Sequence, residues 1–314
     1  MDYYKIQKQL ILPIYFIVGP TAIGKSSLAI KVAKKLDAQI INVDSMQVYE
    51  NLNILSARPS DQEMKEIKHH LYGHIKGSER YNVARWCEET SNIIKNCSKK
   101  NIPTVVVGGT GLYVDKLING LVDIPPIPED YKKKSEELLL NKGIKNFYNL
   151  VSEFDSEALK KINPNDLNRL KRIWEVFMYT KIPMSNWIKN KTKKFLDNPK
   201  YLLYLFLPDR EKNYERVNKR FVKMIDNGAV EEVKQLLKLN FDKSLPVMRA
   251  HGVPEISLYL DKKINFKECT NKGQQVTRNY VKRQHTWWNS TNLRIHHQIK
   301  HFPDEIDLNA MNFN

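Results

Sequence analysis

Residues 19–26 constrain the fold most strongly, because they fit the phosphate-binding P-loop pattern G-x-x-x-x-G-K-S/T. The apolar run before them, residues 14–18, is rich in β-formers and is typical of a buried parallel strand. The stretch after them, residues 26–36, carries apolar side chains at helical spacing. The sequence therefore predicts a strand, a tight loop and a helix in direct succession. The loop itself reads Gly19-Pro20-Thr21-Ala22-Ile23-Gly24-Lys25-Ser26.

Such a loop predicts a site for a phosphate or diphosphate. Its glycines let the backbone curl so that several N–H groups point inward, and the helix N-terminus adds its positive end. Lys25 supplies a point charge, and Ser26 supplies a hydroxyl for Mg²⁺, which makes Ser26 the predicted metal ligand. The loop does not identify the phosphate compound, since most such loops hold ATP or GTP.

The charge of the chain limits its partners. Lys and Arg number 51 against 35 Asp and Glu, which gives a net charge of +16. So basic a surface favours a polyanion, with nucleic acid first and an acidic membrane surface second, although a Lys-rich proteome is an alternative explanation. Three cysteines without metal-ligand spacing indicate a reducing cytoplasm. No apolar run approaches the ~20 residues of a membrane span, so we expect no membrane partner.

Two other predicted strands end beside candidate site residues. Residues 39–43 lead into Asp44, and the carboxyl end of a parallel strand is where open α/β sheets bind ligands. Asp44 is therefore a candidate general base or metal partner, with a turn or capping aspartate as the alternative. Residues 103–107 lead into a glycine-rich loop that offers the hydroxyl of Thr110. This strand does not end in an aspartate, which weakens an ATPase or kinase interpretation.

A proline-rich hinge at residues 123–128 marks a change of composition. We predict an α/β fold, namely a P-loop NTPase-like core with a parallel sheet flanked by helices, plus an all-helical insertion domain. The predicted segments are the first part of the core, the insertion, the second part of the core with a basic C-terminal helix, and a frayed tail. Their bounds are 1–117, 118–200, 201–303 and 304–314.

Basic residues on three predicted helices are candidates for contact with a polyanion. In the insertion, Asp166 is a predicted N-cap, and Arg169 and Arg172 are adjacent on the helix that follows. Two neighbouring arginines suit phosphates or base edges, although a solvated face is the more common outcome. Arg220 lies on a basic stripe after the strand at 201–207, from which a cation could reach the P-loop ligand.

The third helix falls within residues 271–303, which contain no acidic side chain. Their cations are interleaved with Tyr280, Trp287 and Trp288, a pattern typical of phosphate contacts and base stacking. Packing in the core is the alternative explanation for at least one of the tryptophans.

Together, these segments resemble the tRNA dimethylallyltransferases, also called tRNA isopentenyltransferases, of the bacterial type. The resemblance covers about residues 12–290, the motifs follow the family's order, and Pro164-Asn165-Asp166 matches the helical insertion. Besides the P-loop, the matching segments are Asp44-Ser45-Met46-Gln47-Val48-Tyr49, Val107-Gly108-Gly109-Thr110-Gly111-Leu112-Tyr113 and Thr277-Arg278-Asn279-Tyr280-Val281-Lys282-Arg283-Gln284.

The resemblance implies transfer of a dimethylallyl group from dimethylallyl diphosphate to N6 of adenosine-37 beside the tRNA anticodon. The P-loop would hold diphosphate as the leaving group together with Mg²⁺, and ATP would not be hydrolysed. Asp44 would take the N6 proton, while Lys25 and Arg220 would neutralise the departing diphosphate. We expect a monomer whose insertion grips the anticodon stem-loop. The tRNA contacts implied are Asp44, Ser45, Met46, Gln47, Thr110, Asn168, Arg169, Leu170, Lys171 and Arg172.

Some residues depart from the family pattern. Ser26 stands where threonine is usual, and Asn168 replaces a usual glutamine before Arg169. The segments 55–59 and 251–255 also differ from the family's motifs.

Three alternatives remain open at this point. They are an adenylate isopentenyltransferase, a P-loop small-molecule kinase and an RNA-binding P-loop protein without activity. The long insertion and the basic surface favour a large polyanionic substrate over free AMP.

Overall fold

The computed structural model describes residues 12–190, 192–311 and 313. Six described strands form one fully parallel sheet. They are β1 (Ile14–Val18), β2 (Gln39–Asn42), β3 (His69–His70), β4 (Thr104–Gly108), β7 (Tyr201–Phe206) and β8 (His297–Ile299), with numbers following chain order. Their order across the sheet is β3-β2-β4-β1-β7-β8, so the strand before the P-loop lies inside the sheet.

Strand β1 is buried over its whole length. It pairs with β4 on one side and β7 on the other, with Ile14 opposite both Thr104 and Tyr201. A central parallel strand has helices on both faces, which explains why β1 is apolar without alternation. The carboxyl ends of β1, β2 and β4 therefore meet at one edge of the sheet, beside the P-loop.

Helices cover this sheet, as the amphipathic patterns predict. Helix α1 (Lys25–Leu36) buries Leu28 and Val32 against strands β1 and β4, in a core cluster that includes Tyr15 and Val105. The other helices of this part of the chain are α2 (Asp61–Glu66), α3 (Val83–Lys99), α4 (Gly111–Asn119), α8 (Arg210–Asp226), α9 (Ala229–Lys238), α10 (Val253–Leu260) and α11 (Phe266–Asn289).

The chain divides into two compact units, one formed by residues 1–118 with 195–314 and the other by residues 119–194. The second unit contains α5 (Glu129–Leu159), α6 (Leu167–Thr180) and α7 (Met184–Lys189). Its core joins Phe147 and Val151 of α5 to Leu170 and Trp174 of α6. Helix α5 is interrupted at Gly143 and Asp155, where the backbone leaves helical geometry.

The second unit is not entirely helical, which corrects the prediction for the insertion. Strands β5 (Leu121–Val122) and β6 (Thr192–Lys193) pair antiparallel near its two ends. Each strand is two residues long, too short to leave a periodic pattern in the sequence.

The prediction of a frayed tail after residue 303 was wrong. Met311 and Phe313 are buried in the core cluster of the sheet, and the Tyr15 hydroxyl donates to the carbonyl of Phe313 at 2.9 Å. Polar residues separate these apolar side chains in the sequence, which hides their burial from a search for periodicity. The edge strands β3 and β8 were also missed, because short edge strands carry little sequence signal.

Candidate functional site

The P-loop joins β1 to α1 in the geometry that its sequence predicts. Gly24 has φ 97°, a left-handed conformation that favours glycine, and it directly precedes the first residue of α1. The Lys25 ammonium turns back into the loop, where Nζ donates to the Pro20 carbonyl at 2.6 Å. Lys25 is buried, and so is the apolar loop residue Ile23. Ser26 follows at the N-terminal end of the helix, with its side chain half-buried.

Burial weakens the charge of Lys25. Desolvation lowers the pKa of this ammonium from 10.5 to about 7, against the opposing attraction of Asp44 and with a smaller contribution from the nearby cation Arg220. An anion bound in the loop would restore the charged form, because it would replace the lost hydration. The site is therefore electrostatically prepared for a phosphate.

Arg220 supplies a second cation, from helix α8. Its guanidinium Nη2 donates to the Thr21 hydroxyl in the P-loop at 2.7 Å. Burial lowers its pKa to about 10, and Asp44 acts in the opposite direction. The Arg220 Nε atom is buried without a hydrogen-bond partner among the described residues. A buried donor without a partner is costly, and a ligand oxygen would satisfy it. Arg216, one turn earlier, instead forms a bidentate ion pair with Asp304.

Asp44 lies at the end of β2, as predicted, and its local structure fixes its orientation. The carboxylate Oδ1 accepts the backbone N–H of Met46 at 2.8 Å and of Gln47 at 3.4 Å. Asn42, fully buried, accepts the Asp44 N–H at 2.8 Å and donates to its carbonyl at 3.0 Å. Within the described residues, Oδ2 accepts no hydrogen bond, so one carboxylate oxygen is available to a substrate.

The glycine-rich loop after β4 supports the Asp44 loop. The Thr110 hydroxyl accepts the N–H of Ser45 at 3.2 Å, and Thr110 N–H donates to the carbonyl of Val43 at 3.1 Å. Tyr280 of α11 lines the same groove as Thr110, and burial raises the pKa of this phenol. Thr110 and Tyr280 therefore belong to the wall that holds the carboxylate loop.

Gln284 was overlooked as a site residue, although it lies in a motif that the sequence showed. It is 5 % exposed, and its side-chain amide joins two loops. Oε1 accepts the Thr21 N–H at 2.9 Å, and Nε2 donates to the Gly109 carbonyl at 3.0 Å. Because its neighbours on the helix are basic, Gln284 was expected to face solvent or RNA. Its spacing of three and four residues from the apolar positions Val281 and Trp288 was the signal in the sequence that it faces the core.

Two cavities meet at these residues. The first, about 270 Å³, is lined by the P-loop and the loops after β2 and β4. The second, about 170 Å³, has an apolar wall that includes Leu52, Leu55, Val217, Phe221 and Met224. Four residues line both cavities, namely Thr21, Asp44, Ser56 and Arg220. The junction of a polar and an apolar cavity suits a ligand with an anionic head and a hydrocarbon tail.

The residues around the P-loop fit a magnesium ion held mainly by phosphate oxygens. Ser26 and Asp44 both line the first cavity and are oxygen donors of the type that Mg²⁺ prefers. In the described part of the chain, no cluster of three His, Cys, Asp or Glu side chains could hold a metal alone. A metal here would therefore depend on a bound phosphate for further oxygens.

Met46 and Gln47 have roles that differ from one another. Each donates its backbone N–H to Asp44. The Gln47 side chain also donates to the carbonyls of Ser56 at 2.9 Å and Ala57 at 3.0 Å, and so fixes the loop where the family motif is altered.

In the second unit, the structure separates the predicted tRNA contacts into exposed and buried groups. Asp166 caps α6 by accepting the Arg169 N–H at 3.1 Å, as predicted, and Asn168 and Arg169 are exposed. Leu170 is fully buried in the core, so its side chain is not a contact residue, which corrects that expectation. The motif around it forms helix α6, in which Leu170, Ile173 and Trp174 face the core.

The remaining two members of that set are partly buried. Lys171 forms an ion pair with Glu136 at 3.0 Å. Burial lowers the pKa of Arg172, with Glu175 acting in the opposite direction. Of the two arginines that the sequence identified, Arg169 is therefore more exposed than Arg172.

Helix α11 resolves the question about the tryptophans. Trp288 is 2 % exposed and belongs to the core, whereas Trp287 is half-buried beside Thr110 and Arg283 in a shallow groove. Lys282 and Arg283 are exposed. No helix in the described ranges is both long and apolar enough to cross a membrane.

A P-loop, a buried lysine, a partly buried arginine and a carboxylate at the edge of a parallel sheet define an α/β protein of the P-loop type with a candidate phosphate site. A family described as IPP transferase matches residues 47–291, and one described as isopentenyl transferase matches residues 12–73. The tRNA dimethylallyltransferase of Pelagibacter ubique is 42 % identical over 94 % of this chain and 93 % of its own length. That of Hyphomonas neptunium is 36 % identical over 88 % of this chain and 87 % of its own.

Solved structures agree with these relatives. The tRNA isopentenylpyrophosphate transferase of Bacillus halodurans superposes with a TM-score of 0.67 at 27 % identity, covering 95 % of this chain and 92 % of that one. A eukaryotic dimethylallyltransferase acting on tRNA gives 0.75 at 29 % identity, covering 88 % of this chain and 69 % of that one. The chain belongs to the IPP transferase family, as its motifs predicted, and it has the fold of the tRNA isopentenyltransferases.

Proposed function

We propose that this protein transfers the dimethylallyl group of dimethylallyl diphosphate to N6 of adenosine-37 in tRNA and releases diphosphate. The observation that carries the proposal is the junction of the two cavities, where Thr21, Asp44 and Arg220 line both. The diphosphate occupies the polar cavity, and the hydrocarbon occupies the apolar one. The bond that breaks then lies beside a carboxylate and two cations.

The cations favour departure of the diphosphate. As the bond between C1 and the bridging oxygen breaks, negative charge grows on the diphosphate, and Lys25 and Arg220 stabilise it in a site with little water. Backbone N–H groups of residues 19–26 and the N-terminus of α1 add to this stabilisation. Mg²⁺ bound by Ser26 and the phosphate oxygens would supply further charge neutralisation.

Asp44 acts as the general base. The exocyclic amine of adenine is a poor nucleophile, because its lone pair is delocalised into the ring. Oδ2 of Asp44 takes the N6 proton as the new N6–C1 bond forms, while Oδ1 remains bound to the N–H of Met46. Both oxygens therefore have a defined task, one in holding the side chain and one in proton transfer.

The acceptor base leaves the stacked anticodon loop to reach this buried carboxylate. We assign binding of the anticodon stem-loop to the second unit, where Asn168 and Arg169 are exposed. Lys282 and Arg283 of α11 add exposed cations near the groove of Trp287. The three buried cysteines, all free thiols, agree with a cytoplasmic enzyme that meets tRNA there.

The test is incorporation of label from dimethylallyl diphosphate, with Mg²⁺, into unmodified tRNA and separately into AMP. We expect label in tRNA and its loss when adenosine-37 is replaced by guanosine. Label in AMP alone would indicate an adenylate isopentenyltransferase instead. Absence of label in both, with ATP turnover, would indicate a kinase.

Two variants separate the roles in the reaction. Asp44→Asn should lower kcat about 10²–10⁴-fold while tRNA affinity is retained, because only proton transfer is removed. Arg220→Ala should raise the KM for the diphosphate donor and lower kcat. Near-normal turnover by Asp44→Asn would exclude its role as the base.

A further inference from the structure

The wall of the apolar cavity includes one aromatic ring, Phe221, that is closely packed by its neighbours. Phe221 lines the cavity, is 2 % exposed, and directly follows Arg220 in helix α8. The cation that faces the P-loop and the ring that bounds the apolar cavity are thus adjacent on one rigid helix. The distance from the diphosphate site to this wall is therefore set by the helix backbone.

The Phe221 ring packs against the backbone at two glycines, Gly273 and Gly252. A Cβ atom added at Gly273 of α11 would overlap the ring, so glycine at this position is what admits it. At Gly252, which has φ +100°, an added Cβ would lie 2.7 Å from Leu55 Cδ2 and 3.3 Å from Phe221 Cε2. Thr277 of α11, another cavity residue, donates to the Gly273 carbonyl at 2.8 Å. Packed interiors yield little, so the ring cannot retreat toward α11.

We propose that Phe221, backed by Gly273, limits the length of the prenyl group that the enzyme accepts. This inference rests on the proposed function. A five-carbon dimethylallyl group ends before the ring, whereas the second isoprene unit of a ten-carbon geranyl group meets it. Phe221 is thus a specificity residue for the hydrocarbon tail, and it takes no part in proton transfer or in binding diphosphate.

Removal of the ring creates room in the direction of the tail. In Phe221→Ala, geranyl diphosphate enters and reacts as the normal donor does. Its C1–O bond breaks with the electron pair going to diphosphate, the N6–C1 bond forms, and the N6 proton passes to Asp44. No additional reactant is needed, because only the size of the transferred group changes.

The experiment compares dimethylallyl and geranyl diphosphate as donors to unmodified tRNA, with the modified nucleoside identified by mass. We expect the wild-type enzyme to prefer dimethylallyl diphosphate by at least about 100-fold in kcat/KM, and Phe221→Ala to reduce this ratio at least about tenfold. Phe221→Leu, a smaller change less disruptive to folding, should reduce it in the same direction. Val233→Ala, buried in α9 but not part of the cavity wall, is the control for loosened packing.

A second pair of variants tests the support behind the ring. Gly273→Ala should push the ring into the cavity and raise the KM for dimethylallyl diphosphate. Combination with Phe221→Leu should restore that KM, since the smaller side chain leaves room for the added methyl group. If each substitution only destabilised the protein, their effects would add in the double variant. A steric clash between the ring and the added methyl group predicts instead that Phe221→Leu restores the KM.

Several results would overturn the inference. Equal use of both donors by the wild-type enzyme would do so, as would an unchanged donor ratio in folded Phe221→Ala and Phe221→Leu. Failure of Phe221→Leu to rescue Gly273→Ala would contradict the supporting role of Gly273. A wild-type enzyme that transfers neither group to tRNA would instead overturn the proposed function, so the two failures are distinguishable.

Discussion

The burial and the pKa of Lys25 in the P-loop cannot be deduced from the residue type alone. The sequence shows that Lys25 is the P-loop lysine, but its burial and its hydrogen bond to the Pro20 carbonyl depend on the folded loop. Its pKa of about 7 depends in addition on Arg220, almost 200 residues further along the chain. A charge placed in a protein interior costs stability, and here that cost coincides with an anion site.

Lys25→Met should therefore stabilise the protein while it abolishes activity. The folded-state pKa of about 7 lies below the ordinary value of 10.5, so the unfolded chain binds more protons between these values. The cost is greatest below pH 7 and declines as the pH rises toward 10.5. The fall in pKa from 10.5 to about 7 corresponds to at most about 5 kcal/mol at pH 7, so the variant should gain up to that amount in free energy of unfolding, and the gain should shrink by pH 10.

Urea unfolding at pH 7, 8.5 and 10 measures this trend, with Lys31→Met on the exposed face of α1 as the control. Transfer activity of Lys25→Met should fall at least about 100-fold. A variant that is less stable than the wild type at pH 7 would show that the contacts of Lys25 outweigh its desolvation.

Gln284 shows how one amide can align two loops. Gln284→Ala removes both the acceptor for the Thr21 N–H and the donor to the Gly109 carbonyl. We expect kcat/KM for the diphosphate donor to fall about 10–100-fold, because small displacements at a reacting centre are costly. Binding of tRNA, measured by filter retention, should be nearly unchanged.

The matched control is Gln275→Ala, which removes an exposed glutamine from the same helix. A variant Gln284→Ala that loses tRNA affinity, with unchanged donor kinetics, would place this side chain in RNA binding instead.

Elements differ in how much sequence signal they carry. Strands β1, β4 and β7 are long, central and apolar, and the helices α1, α3 and α8 have amphipathic patterns, so all six were predictable. The edge strands β3 and β8 and the ribbon of β5 and β6 are two or three residues long. Their formation depends on neighbours that are distant in the chain, so no local pattern predicts them.

Residues 304–314 were mistaken for a tail because tertiary contacts, on both sides of residue 304, stabilise the segment after β8. The ring of Phe302 lies in the core cluster of the sheet, and the guanidinium of Arg216 stacks on it at 3.6 Å from the ring centroid. Phe302→Ala should destabilise the protein by about 3 kcal/mol, through lost burial and the cavity left behind.

Urea unfolding compares Phe302→Ala with Phe266→Ala, whose side chain is 49 % exposed and should contribute little. A change below about 0.5 kcal/mol in Phe302→Ala would mean that the segment after β8 contributes little to the core.

Helix α6 of the insertion provides a test of RNA binding at the level of one element. Arg169 is 68 % exposed, and its Nε lies 3.2 Å from Oδ2 of its own N-cap, Asp166. Arg169→Ala should weaken tRNA binding about tenfold, by loss of one charge-assisted contact, with donor KM unchanged. Lys145→Ala, also exposed in this unit, is the control. Equal effects of the two variants would indicate general charge attraction only.

At the scale of the whole molecule, the sequence identified the fold class, the family and three charged residues that the fold brings together, namely Lys25, Asp44 and Arg220. It could do so because the P-loop, the Asp44 segment and the glycine-rich loop are local motifs with strong signals. It could not identify Gln284 or Phe221 as site residues, because α8 and α11 reach the P-loop only in the folded chain. The distribution of the net charge of +16 is likewise a property of the fold.

That distribution supports a final prediction about salt. Lys282 and Arg283 are exposed on α11, and Arg283 lines the groove beside Thr110, at the edge of the sheet where the site lies. Lys99 and Lys100 are equally exposed, but they lie beside Gln39, where β2 begins, at the opposite edge. If the charge serves tRNA binding, only the first pair should contribute to release of counterions from the RNA.

The affinity for tRNA should fall at least about tenfold between 50 and 200 mM salt. The double variant Lys282→Gln with Arg283→Gln should reduce the slope of log affinity against log salt concentration by about 1–2. Lys99→Gln with Lys100→Gln removes the same charge and should leave the slope nearly unchanged. Equal slopes for both double variants would mean that the basic composition, rather than a localised surface, attracts the RNA.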